Sequence, residues 1–231
     1  MKQLKSFRLE KSEGVGSLRQ VRGRICDGEI MDDAKKALAL MEDDILRLDV
    51  ALDLSDWGQI KQRCRFVDVA AGDKIQNQAR VTDSWIYLSN GIAASEQTWL
   101  DGTSTIARFF EPGNICANLT SAWTRDIASD DLVAVTDVAG IAIPNDLFRT
   151  EYLEGGFFGT YLRLKLMDAH LFAKELICAK TSGRTEARYQ FLEQYHQHVI
   201  ASVRQKDIAR FLGVTPQGLS RFLRRRKSGT S

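Results

Sequence analysis

Seven side chains near the end of the chain have the types and spacing to grip and read a polyanion. Gln217, Ser220 and Arg221 fall within little more than one turn of a predicted helix, and Arg224, Arg225, Arg226 and Lys227 follow directly. An amide makes a bidentate pair with adenine, a guanidinium makes one with guanine, and a hydroxyl serves either, while clustered cations meet phosphates. The spacing therefore predicts base contacts from Gln217, Ser220 and Arg221. Phosphate contacts are expected from Thr215, Arg224, Arg225, Arg226 and Lys227.

Those residues need a rigid carrier, and the stretch QKDIARFLGVTPQGLSRFLRRRK, residues 205–227, supplies one. Ile208, Phe211 and Leu212 recur at helical spacing, with Ala209 small enough for a second helix to approach. Gly213 provides the left-handed backbone that ends a helix abruptly, and Val214 can plug the turn. Thr215 then Pro216 is a helix start, with the hydroxyl as cap and proline's fixed φ at the first position. The second helix is predicted from Pro216 to about Arg226, burying Leu219, Phe222 and Leu223. This is a helix-turn-helix in which the second helix presents polar and cationic groups.

Two amphipathic helices joined by glycine occur in many helical proteins, and a terminal arginine run is often a solvated tail. The ordered set Ala209, Gly213, Val214, Leu219 and Phe222 is far more restrictive. Charge agrees with the sharper reading. The chain carries a net +2, yet residues 180–231 hold 11 Lys or Arg against 3 Asp or Glu, leaving −6 on residues 1–179. Clustered cations on an acidic body point to a polyanion partner for the small part alone.

Length allows two domains in 231 residues, 44% of them hydrophobic. Residues 1–28 show no sustained period and read as a poorly ordered extension. Ala37, Leu40, Met41, Ile45 and Leu48 then mark a helix opened by Asp32 and Asp33, and Leu54 to Cys64 a second, shorter one. From Arg65 the period becomes two. Strands are predicted around Phe66 to Val69, Lys74 to Gln76, Trp85 to Leu88, Ile92 to Leu100, Thr103 to Phe110, Ile115 to Leu119 and Leu132 to Ile143, with Asp101-Gly102 as a hairpin tip. Short strands at near-regular spacing argue for a barrel or roll.

Helical period returns at Asp146, and a long helix is predicted from about Phe157 to Lys180. Phe158, Leu162, Leu166, Ala169, Phe172 and Leu176 form one stripe; Leu164, Met167, Leu171 and Cys178 form another. One stripe covers the roll, and the other needs a partner, which a second copy of the same helix supplies. Phe158, Leu162, Leu166, Ala169 and Phe172 are expected to be that dimer seam.

Other chemistries have little support. Cys26, Cys64, Cys116 and Cys178 stand far apart, and His170, His196 and His198 lack a third ligand at metal-binding spacing, so no metal or cofactor is expected. No nucleophile and base pairing or Gly-rich phosphate loop points to an enzyme. Without an apolar run of membrane-spanning length or a secretory segment, the chain is expected to be cytoplasmic, with no membrane partner.

The order of roll, long helix and helix-turn-helix resembles the Crp/Fnr family of bacterial transcription regulators over about residues 45–227. Ala71-Gly72-Asp73, Tyr87-Leu88-Ser89-Asn90-Gly91, Glu111-Pro112-Gly113-Asn114 and the helix-turn-helix carry it. The resemblance implies an α+β chain: a cyclic-nucleotide-binding-like effector roll over residues 29–155, a dimerisation helix over 156–180 and a DNA-binding domain over 181–231. It also implies double-stranded operator DNA and a second copy as partners, and leaves RNA polymerase open as a further one. Gln217, Ser220 and Arg221 are similar to the family's base-reading Glu, Ser and Arg, with the amide shifting preference away from cytosine.

The effector region departs from the pattern. Ala117-Asn118 replaces the family's ribose-holding Gly-Glu, and Ala128-Ser129-Asp130-Asp131 occupies the phosphate region, where two carboxylates would repel the ligand. The cysteine cluster of the family's iron–sulfur sensors is missing, and the β-wing after the recognition helix is expected to be reduced or lost. The sequence thus predicts a homodimeric, sequence-specific regulator with a degenerate effector pocket at Ala117, Asn118, Asp130 and Asp131, its small-molecule effector unknown or nonexistent. A module that contacts nucleic acid without sequence preference, or a scaffold, is the alternative.

Overall fold

Acidic residues at one end and a basic one at the other fix the first helix, α1 (Met31–Arg47), since Asp32 and Asp33 in its first turn and Arg47 in its last complement the helix dipole. The structure, a computed structural model, describes residues 31–99 and 101–229. The extension predicted over 1–28 lies outside them. Ala34, Ala37, Met41 and Ile45 form the buried line of α1. α2 (Leu54–Arg63) starts where the Asp53 carboxylate accepts the N–H groups of Ser55 and Asp56 at 2.9 and 3.1 Å, and it buries Trp57 and Ile60.

Period-two residues then build two antiparallel sheets. β1 (Arg65–Val69), β8 (Val138–Pro144), β3 (Ser84–Asn90) and β6 (Ile115–Cys116) make one sheet in that order. β2 (Lys74–Gln76), β7 (Asp131–Ala134), β4 (Ala93–Thr98) and β5 (Ser104–Phe110) make the other. Their inward faces meet in a cluster that includes Val67, Ile75, Ile86, Leu88, Phe110, Cys116 and Leu132. Glycine is required at 140, because a Cβ there would stand 2.2 Å from the Tyr87 carbonyl oxygen. The predicted hairpin forms between β4 and β5, paired from Thr98↔Ser104 to Ala93↔Phe110 around Asp101-Gly102.

Two strand expectations are corrected. The segment 115–119 is strand only at Ile115–Cys116, because Asn118 accepts the Ser121 N–H at 3.1 Å and caps a short helix, α3 (Leu119–Thr124). The run 132–143 is two strands, β7 and β8, rather than one.

α4 (Asn145–Glu154) packs Phe148 on Trp85 with stacked rings 3.7 Å apart. Gly155 and Gly156, with φ of +100° and +71°, break the chain before α5 (Gly156–Thr181), the predicted long helix. The stripe expected to form the seam is the one that faces inward. Phe158 and Leu162 are fully buried in this chain's own core, Leu176 is buried, and Leu166, Ala169 and Phe172 are half-buried. The expected seam is thus largely occupied by the chain that carries it. Leu164, Met167 and Leu171 are instead 38, 57 and 54% exposed, and Cys178 is exposed beside them. Both stripes have helical spacing, so sequence period could not say which faced inward.

The C-terminal helices are α6 (Thr185–Tyr195), α7 (Gln197–Ser202), α8 (Gln205–Leu212) and α9 (Pro216–Ser228). Leu192, Val199, Ile208, Phe211, Leu212 and Leu219 form their core, and Ile92, Ala94, Ile106 and Phe109 of the β4–β5 side belong to the same cluster. Hydrophobic burial thus runs without interruption from roll to helix-turn-helix.

Candidate nucleic-acid interface

The turn between α8 and α9 forms for the local reasons its residues supply. Gly213 is left-handed at φ +66°, ψ +37°, and the Val214 N–H returns to the Ala209 carbonyl at 3.0 Å. Thr215 Oγ1 accepts the Gly218 N–H at 3.0 Å, with Pro216 in the first turn of α9. Ala209 and Leu219 are fully buried where the helices cross, and Phe222 and Leu223 pack at the edge of that core.

This packing leaves one face of α9 outward. Gln217, Arg221, Arg224, Arg225 and Lys227 are exposed and Ser220 is half-exposed. Among the described residues, the side chains of Gln217, Arg221, Arg224, Arg225 and Lys227 have no hydrogen bond or ion pair within the chain. Four uncommitted cations and an amide on a single helical face suit a groove flanked by phosphates. The Thr215 oxygen is occupied as a cap acceptor, and its hydroxyl proton remains available to donate.

Arg226, unlike the other four cations of α9, is engaged within the chain. Its Nη1 and Nη2 donate to the two Glu193 oxygens at 2.9 and 3.0 Å, and Nε stands 3.4 Å from Glu186. The guanidinium also lies over the Tyr189 and Phe222 rings at 5.1 and 5.9 Å. Hydrogen bonding to Glu193, opposed by some desolvation and helped by both glutamates, raises its pKa above the ordinary arginine value. Arg226 therefore joins α9 to α6. The helical rotation between residues 225 and 226 turns it toward α6.

Sequence reasoning missed the groups that seat α8 on the roll. Arg210 pairs with Glu96 of β4 and donates to Ser104 Oγ at 2.5 Å, while Asp207, buried, holds Arg210 and Arg204 at 3.2 Å each. Phe211 meets Phe109 at 5.2 Å between ring centres. Lys180 Nζ donates to the Ile106 and Ala107 carbonyls at 3.1 and 2.9 Å, and His196 Nδ1 lies 2.5 Å from Glu111 Oε2. Apart from the two Asp207 pairs, each joins residues 73 or more positions apart, beyond any local pattern.

In the effector region, the groups expected to face a ligand mostly bond one another. Asp130 accepts from Ser95 Oγ, Asn118 Nδ2 and Ser129 Oγ, while the Asn118 N–H donates to Gln76 Oε1 at 3.0 Å. Asp131 is buried, 2.7 Å from Lys74 Nζ, and accepts the Gln78 N–H at 2.8 Å. Ala117 is half-buried against the core that includes α1. Among the described residues, no group of three His, Cys, Asp or Glu side chains could hold a metal, and no helix is long and apolar enough to cross a membrane.

Comparison with solved structures places this architecture. The chain aligns with FixK2 from Bradyrhizobium japonicum at a TM-score of 0.60 and 15% identity, covering 72% of this chain and 86% of that one. It aligns with the c-di-GMP-responsive global regulator CLP of Xanthomonas campestris at 0.54 and 12%, covering 77% and 93%. A CRP-family transcriptional regulator from Thermus thermophilus gives 0.56 and 14%, covering 70% and 85%. No protein-family model and no curated protein matches the chain. At such identities the likeness is one of fold: the chain has the α+β fold of Crp/Fnr-type regulators, with a cyclic-nucleotide-binding-like roll, a long helix and C-terminal helices.

Proposed function

We propose that this chain is a sequence-specific, DNA-binding transcription regulator that works as a homodimer and takes no cyclic nucleotide. The observation that carries the reading is the uncommitted polar row on α9, where Gln217, Arg221, Arg224, Arg225 and Lys227 project from the second helix of a helix-turn-helix. Gln217 and Arg221, one turn apart with half-exposed Ser220 between them, are assigned to base edges. Arg224, Arg225, Lys227 and the Thr215 hydroxyl are assigned to phosphates on either side.

Leu164, Met167 and Leu171 supply the dimer seam in this reading. They recur at three- and four-residue spacing, and each is more than a third exposed. Two recognition helices related by a two-fold axis would read a near-palindrome. The Asp130 network supports the loss of cyclic-nucleotide binding, because an incoming phosphate would meet a carboxylate where it needs a cation.

The test is selection of bound fragments from genomic DNA, followed by affinity measurements on the selected site and on random duplex. Arg221→Ala is expected to lose about 1 to 3 kcal/mol on the selected site and to flatten preference at one position per half-site. Binding that random duplex competes away at equal concentration would instead identify a non-specific nucleic-acid module.

A further inference from the structure

Arg108 projects from β5 into the seam between the roll and α5. Its guanidinium carbon lies 4.8 Å from the ring centre of Phe110, which belongs to the roll interior, and 4.6 Å from that of Phe172 on α5. Buried Cys116 is close enough to interact with it. The two rings attract the faces of the cation but offer nothing to its in-plane N–H groups. Arg108 Nε is buried without an acceptor, and among the described residues the guanidinium has no hydrogen bond or ion pair. Burial holds its pKa below the ordinary value, yet an arginine stays charged in proteins. A largely buried cation with no anion beside it, and a buried Nε without an acceptor, is a costly arrangement that an anionic ligand would relieve.

The neighbouring carboxylates do not fill the gap. Ser95, the cross-strand partner of Arg108, donates to Asp130 instead, and Asp131 is held by Lys74. Glu111 turns one oxygen to His196, whose ring centre stands 5.3 Å from that of Phe172. Glu111 Oε1 and His196 Nε2 are themselves buried and unpartnered. Arg108 and His196, each with a buried ring or guanidinium nitrogen that lacks a partner, thus both lie against the Phe172 ring.

We propose that Arg108, flanked by Phe110 and Phe172, is the anion-binding group of a ligand site that takes a small organic carboxylate. The in-plane fork of a guanidinium matches a carboxylate edge, and the rings of Phe110 and Phe172 offer that fork no acceptor of their own. A phosphate near neutral pH carries more charge than one arginine offsets, whereas a carboxylate carries a single charge and matches it. The site touches α5 through Phe172, and the His196–Glu111 contact lies between it and the C-terminal helices, so occupancy is placed to tune DNA binding. That regulatory part alone rests on the reading as a regulator; the site does not.

The experiment follows the thermal midpoint of the whole chain at fixed ionic strength while sodium chloride is replaced by sodium acetate, sodium benzoate or sodium phosphate, with calorimetric titration of any anion that shifts it. A saturable rise with a carboxylate is expected, absent in Arg108→Gln and weakened about tenfold in Arg108→Lys, which keeps the charge but loses the fork. Arg108→Gln should itself melt no lower than the parent in chloride; should it fail to fold, the lysine variant decides alone. No saturable shift with either carboxylate, or a shift that survives unchanged in Arg108→Gln or Arg108→Lys, overturns the site. A phosphate response equal to or above the carboxylate response overturns the carboxylate assignment. Carboxylate binding without any change in affinity for the selected operator removes the regulatory role, and carboxylate binding in a chain that binds no DNA leaves the site standing while the regulator reading falls.

Discussion

Arg226 and Glu193 share two parallel hydrogen bonds, Nη1 to Oε1 at 2.9 Å and Nη2 to Oε2 at 3.0 Å, across the 33 residues between α9 and α6. The neighbouring Arg225 is exposed and uncommitted. Arg225→Ala should therefore weaken binding to every duplex alike and lower the slope of log affinity against log salt by about one. Arg226→Ala should leave that slope unchanged and lower stability by about 1 kcal/mol, the scale of a half-exposed pair. Salt titrations and urea melts of both variants check this, and equal slopes lost in both would return Arg226 to the phosphate row.

The proposed seam on α5 makes opposite predictions for two sets of residues on one helix. Leu171→Glu and Met167→Glu should yield a folded monomer by light scattering, with the circular dichroism of the parent. Phe158→Ala should instead lower stability by about 3 to 5 kcal/mol, because its ring is fully buried in the chain's own core. The selected operator should hold two half-sites about 34 Å apart. A Met167→Glu, Leu171→Glu chain that remains dimeric would move the seam elsewhere.

Lys180 gives a pH dependence with a definite sign. Burial, aided by Arg188, lowers its pKa to about 8, against about 10.5 in the unfolded chain. Between those values the unfolded chain binds the extra proton, so this group's contribution to stability rises with pH from about 8 upward and is level below that. The urea midpoint of the parent minus that of Lys180→Met should therefore grow more favourable to the parent between about pH 7.5 and 9.5. A flat or falling difference would contradict the lowered pKa.

Cyclic AMP and cyclic GMP should show no specific binding below about millimolar, where the binding free energy is roughly −4 kcal/mol. Asp130 is already bonded to Ser95, Asn118 and Ser129, and among the described residues no arginine pairs with it to receive a phosphate. Calorimetric titration decides it, and micromolar binding would mean that this network opens.

What the sequence made legible was local. Gly213, Thr215 and Pro216 announce a turn through their own backbone preferences, and Asp101-Gly102 announces a hairpin, so those elements stand where expected. Arg226 sits one residue from Arg225 in an unbroken basic run, and only the packing of α6 separates their roles. The two stripes of α5 have the same period, and which one is covered depends on the roll and on α1, a helix far earlier in the chain. Arg108 reads as an ordinary outward strand cation until Phe172 arrives from another element. Asn118 reads as the end of a strand until its side chain is seen capping α3.

The shared cluster of Ile92, Ala94, Ile106 and Phe109 with Phe191, Phe211 and Leu212 bears on how this chain can be cut and recombined. A fragment beginning near residue 181 would carry α8 and α9 intact but bare the Phe211 face that the β4–β5 hairpin covers. Grafted onto another roll, it would meet a hairpin without Glu96 and Ser104 for Arg210 to hold. The helix-turn-helix and the roll are interlocking parts with a private fit, and a chimera that folds will have to carry the β4–β5 hairpin along with the helices it seats.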